Sequence, residues 1–197
     1  MRILHLPLSR QPKRLPVALV LAAITFALAT LCSGAVGLGA GVRISLADVM
    51  LYPAAVLLPL KWCVPAIAVP YAVATWLLSG WEMAIGVLLI KGACAAAMVY
   101  VYDTVDASTR GHSLIPFMAH GFLSCLGVLL YDIFGFGLLT ALPAFAVELV
   151  QWVLTGTLGT ALVGSIDRWP EALQRLLYPP QTASHDATPH ADVPHTS

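Results

Sequence analysis

The sequence predicts an all-α integral membrane protein with six transmembrane helices. Three observations lead there. Hydrophobic residues make up 59% of the 197 residues and charged ones only 10%, against about 25% charged in an ordinary soluble domain. The apolar residues fall into runs near the roughly 20 residues a helix needs to cross a bilayer. The few basic residues, finally, are unevenly placed along the chain. The expected organisation is a cytoplasmic segment over 1–15, one membrane domain over 16–166, and a cytoplasmic segment over 167–197.

The first run, 16–36, follows Arg10, Lys13 and Arg14. It is longer than the 7 to 15 apolar residues, roughly, of a cleaved signal peptide, so it reads as a retained span. Ala18 and Ala22, and Ala23 and Ala27, stand at small-xxx-small spacing, which lets another helix approach closely. The glycine-rich stretch from Gly34 to Gly41 follows no strand and reads as a flexible outer loop.

The second run, 46–60, is short and carries Pro53 and Pro59, and the third, 62–79, carries Pro65 and Pro70. These two are expected to be kinked, tilted or partly re-entrant. The fourth covers 82–101. The polar loop Asp103–His112 then separates it from the fifth, 114–133, and the sixth, 136–162. From Pro179 the chain is too polar to bury a core and is expected to be disordered. His185, His190 and His195 recur there every five residues, a pattern that fits a solvated tail better than a metal site.

With six spans and an inner amino terminus, Arg2, Arg10, Lys13, Arg14, Lys61, Arg110, Arg168 and Arg175 all fall inside, and only Arg43 outside. The bias places both termini in the cytoplasm. A formal net charge of zero argues against a nucleic-acid partner.

No HExxH, GxSxG, phosphate-binding loop or dinucleotide fingerprint occurs, so the chain is expected neither to be an enzyme nor to hydrolyse ATP. Cys32, Cys63, Cys94 and Cys125 sit in different apolar runs without CxxC spacing and read as small packing residues. No cofactor or metal is expected.

What the composition does not absorb is charge at depth. Lys91 stands inside the fourth run and Glu148 inside the sixth. Each costs roughly 2.5 to 3.5 kcal/mol to insert unless it is paired or functional. Counted from the outer helix ends, the two lie about 14 and 18 Å deep at 1.5 Å per residue, so they can meet as an ion pair. Breaking such a pair costs about 3 to 5 kcal/mol. Glu148, Gln151, Trp152 and Thr155 share one helix face by their separations of three and four. Nearer the outer side Arg43, Asp48, Trp81, Glu82, Tyr131 and Asp132 are expected to collect around a mouth. A polar ligand entering from outside would meet Asp48 and Asp132 first.

Three stretches carry a family resemblance: Gly41-Val-Arg-Ile-Ser-Leu-Ala-Asp48, Ile85-Gly-Val-Leu-Leu-Ile-Lys91-Gly92, and Ala144 to Gly164 with Gln151. In order and spacing the chain resembles the substrate-binding S component of energy-coupling factor (ECF) transporters. Glu148 stands where that family has an asparagine-like position. The resemblance implies a six-helix bundle that captures a vitamin or related micronutrient from outside. Its implied partners are a transmembrane coupling protein and two cytoplasmic ATPases, with Ala18, Ala22, Ala23 and Ala27 docking on the coupling protein. Substrate contacts are expected from Lys91, Asp48, Asp132, Glu148, Gln151 and Trp152. Two other readings stay open: a small polytopic cell-shape scaffold resembling the rod-shape factor MreD, which needs no ligand, and a proton-coupled carrier using Glu148 or Asp132.

Overall fold

A computed structural model describes residues 14–35, 44–105 and 114–165. Among them the chain is helical and contains no strand: α1 (Arg14–Ala35), a 3-10 segment (Leu46–Met50), α2 (Leu51–Leu57), α3 (Leu60–Ser79), α4 (Trp81–Thr104), α5 (Leu114–Phe136) and α6 (Leu138–Gly164). Arg43, the glycine run beyond residue 35, most of the Asp103–His112 loop and the histidine-bearing tail lie outside the described residues.

Four helices, α3 to α6, are long and apolar enough to cross a membrane. The expectation of six spans is corrected here. Leu46–Leu57, the core of the expected second span, would reach only about 18 Å as a helix, too short for a bilayer. α1 runs for 22 residues, and within it Leu15–Leu31 is the apolar stretch with described side chains.

Two glycines set the architecture. Gly80, at φ +95°, joins α3 to α4, and Gly137, at φ +89°, joins α5 to α6. In each case one residue in a conformation that favours glycine reverses the chain between long helices. Both turns lie at the same end of the bundle, because α4 and α5 run antiparallel between them. Pro59, in extended conformation, caps the start of α3 at the opposite end.

The short element is the exception to this up-and-down pattern. Leu58 and Pro59 link α2 directly to α3, so α2 ends where α3 begins. Its 3-10 lead-in therefore starts halfway down the bundle. Ser45 caps that start, its hydroxyl accepting from the Ala47 N–H at 3.3 Å.

Polarity is inverted relative to a soluble protein. Leu139 and Phe134 are 88% and 85% exposed, whereas Asp48, Lys91, His120, Glu148 and Gln151 are buried. An apolar surface around a polar centre suits a hydrocarbon solvent. Packing forms two layers along the bundle. One gathers Ala18, Leu21, Tyr52, Ile67, Met98 and Tyr102 on the Pro59 side. The other gathers Ala29, Ala47, Tyr71 and Ala74 on the Gly80 side. Cys63, Cys94 and Cys125 are free buried thiols, in keeping with packing residues.

Candidate functional site

Where the 3-10 segment begins, α4, α5 and α6 bring charged and polar side chains to meet it. The Lys91 ammonium donates to Asp48 Oδ2 at 2.8 Å, to Ser124 Oγ at 2.9 Å and to Glu148 Oε1 at 3.2 Å. An ammonium has three donors, and all three are engaged. The Ser124 hydroxyl makes a short hydrogen bond to Glu148 Oε1. The Tyr71 ring centroid lies 5.4 Å from the ammonium, close enough for a cation–π contribution.

Gln151 ties the short element to α6. Its Nε2 donates to Asp48 Oδ2 at 2.7 Å, and its Oε1 accepts from the Ser45 N–H at 2.8 Å. The backbone donor freed where the 3-10 segment starts is thereby satisfied by a side chain from another helix.

Behind the cluster Tyr52 and His120 share a 3.1 Å hydrogen bond between the hydroxyl and Nδ1. His120 Nε2 lies 4.0 Å from Asp48 Oδ2, beyond hydrogen-bonding distance, and it meets no acceptor among the described residues. Asp48 Oδ1 is likewise buried without a hydrogen-bond partner. Tyr52 reaches this position because α6 presents Gly156 and Gly159 to it: a Cβ at either residue would run into the Tyr52 side chain.

On the Gly80 side of the cluster a partly open cavity of about 210 Å³ enters the bundle. Lys91, Glu148 and Gln151 line it together with Ser45 and Tyr71; Thr75, Ser79, Leu78, Met83, Val87, Ile90 and Val128 complete its walls. Wall chemistry is thus mixed, apolar along α4 and polar at the charged cluster, a pattern common to small-molecule sites. No group of three or more His, Cys, Asp or Glu residues suited to a metal occurs among the described residues.

Of the residues singled out from sequence, Lys91, Asp48, Glu148 and Gln151 come together. Asp48 is not at the outer mouth, where its position in a full-length second span would put it, but against Lys91 at mid-depth. Asp132 and Trp152 do not line the cavity. Asp132 is half-buried near the Gly137 turn. Trp152 packs on Phe117 with ring centroids 4.9 Å apart and donates its indole N–H to the Phe117 carbonyl at 2.9 Å. Ala18 is buried in the bundle and Ala22 packs against the same core, whereas Ala23 is exposed and Ala27 half-buried. Sequence reasoning missed Ser124, Tyr71, His120 and Tyr52. The spacing of His120 and Ser124 by four is the signal that marks an inward polar face on α5.

These features define the class: an all-helical protein of multi-pass membrane type, with a buried charged cluster beneath a small cavity. Comparison with protein-family models, curated proteins and solved structures finds no match for the chain.

Proposed function

We propose that the chain is the membrane-embedded substrate-capture subunit of an importer of the energy-coupling factor type, taking up a vitamin or related micronutrient. The observation that carries this reading is the cavity of about 210 Å³ whose polar end is built from Lys91, Glu148 and Gln151. Such a chamber, apolar-walled with a few fixed polar groups, holds a small molecule. Energy for transport comes from partners, a transmembrane coupling protein and two cytoplasmic ATPases, because no phosphate-binding loop occurs in the sequence. On this reading the exposed side of α1 with Ala23, rather than the inward Ala18, meets the coupling protein. Both termini face the cytoplasm of a prokaryotic inner membrane.

Co-expression with an ATPase and coupling module, followed by uptake of labelled vitamins, tests the proposal. ATP-dependent uptake that needs this chain supports capture. Uptake that persists without the module points to a carrier, and a chain that binds no small molecule but pulls down a filament protein is a scaffold.

A further inference from the structure

Lys91, the most conspicuous cation of the site, is already committed. Its three hydrogen bonds go to Asp48, Ser124 and Glu148, so it has no donor left for an anionic ligand. Acceptors, by contrast, are in surplus. Both hydrogen bonds that Glu148 accepts fall on Oε1, which leaves Oε2 without one among the described residues, on a residue that lines the cavity. Asp48 Oδ1 is a second acceptor without a partner, on a side chain only 2% exposed. The formal charges point the same way. One ammonium faces two carboxylates, and His120, whose Nε2 meets no acceptor, is counted neutral because a buried imidazolium needs both N–H groups bonded.

Resting on the capture reading above, we infer that the cavity selects ligands carrying a positively charged nitrogen, with Glu148 Oε2 as the group that receives it. A protonated amine or a quaternary or ring nitrogen cation restores neutrality at the polar end of the chamber. The Tyr71 side chain is another part of the lining. A carboxylate or phosphate ligand finds only an engaged ammonium and faces an excess of negative charge in a low-dielectric setting, where repulsion is strong.

The test uses the full chain in detergent and a thermal-shift and calorimetry panel of matched probes. Pyridoxamine and thiamine are the cations, 4-pyridoxic acid, pantothenate and biotin the anions. The expected result is binding of at least one cation, with pyridoxamine ahead of 4-pyridoxic acid by about tenfold or more, as a charge-assisted hydrogen bond supplies. In Glu148→Gln the amide keeps an acceptor for Lys91 and Ser124, and the cation's affinity is expected to drop by about tenfold while neutral pyridoxine is unaffected. Preference for the anions overturns the inference and leaves the capture reading standing. Binding of no probe, together with no module-dependent uptake of any vitamin, overturns the capture reading itself. Should Glu148→Gln not fold, the matched cation and anion pair on the unaltered chain still decides.

Discussion

Asp48 and Lys91, 43 residues apart in the chain, form a 2.8 Å ion pair inside the bundle. The pair joins the half-length element to α4, and through Glu148 and Ser124 it extends to α6 and α5. Three charges in one buried contact network give clear expectations for substitution.

Lys91→Met removes the only cation of the cluster and strands two carboxylates. Destabilisation by about 3 to 5 kcal/mol is expected. Thermal unfolding in detergent measures it, and a Lys91→Met protein as stable as the parent contradicts the buried network.

Gly159→Leu forces a side chain against the fully buried Tyr52 ring. Overpacking of this kind costs about 1 to 3 kcal/mol or more. Gly164→Ala, where an added Cβ meets nothing within 4 Å, is the control and should leave the melting temperature nearly unchanged.

Tyr52→Phe deletes the hydroxyl that bonds His120 Nδ1 and leaves that nitrogen buried and unpaired, at about 1 to 3 kcal/mol. Combining it with His120→Leu should cost less than the sum of the two single changes, which a double-mutant cycle on melting curves reads directly.

Topology follows from the glycine turns. Cysteines introduced at Trp81 and Leu138, both exposed beside Gly80 and Gly137, should react with an impermeant maleimide from the same side of the membrane. Cysteines at Thr104 and Leu114 should react from the other. Labelling of Trp81→Cys and Thr104→Cys from one side rules out α4 as a span.

Lys91 and Glu148 were legible as a pair because each lies on a long uninterrupted helix, where depth follows from a fixed rise per residue. Gln151 came with Glu148 by helical periodicity. Asp48 stands out in the sequence as a candidate site residue but at the wrong depth, since the same count assumes a full crossing. Composition does not distinguish a span from an apolar half-helix ending at the Leu58-Pro59 corner. Trp152 shares its turn with Gln151, yet one residue is a 100° rotation, enough to turn its indole to α5. Ser124 and His120 are harder to read, because one polar pair at a spacing of four in an apolar helix carries little weight until a charge is found opposite it.

One oxygen atom, Asp48 Oδ2, receives hydrogen bonds from α4 and α6 at once. Such a shared acceptor acts as a keystone: variation at either donor alters the environment of the other, so acceptable replacements at positions 48, 91 and 151 must arrive in concert. A change at any one of the three therefore strands a buried partner, whereas an exposed leucine such as Leu139 can be exchanged without disturbing a second site.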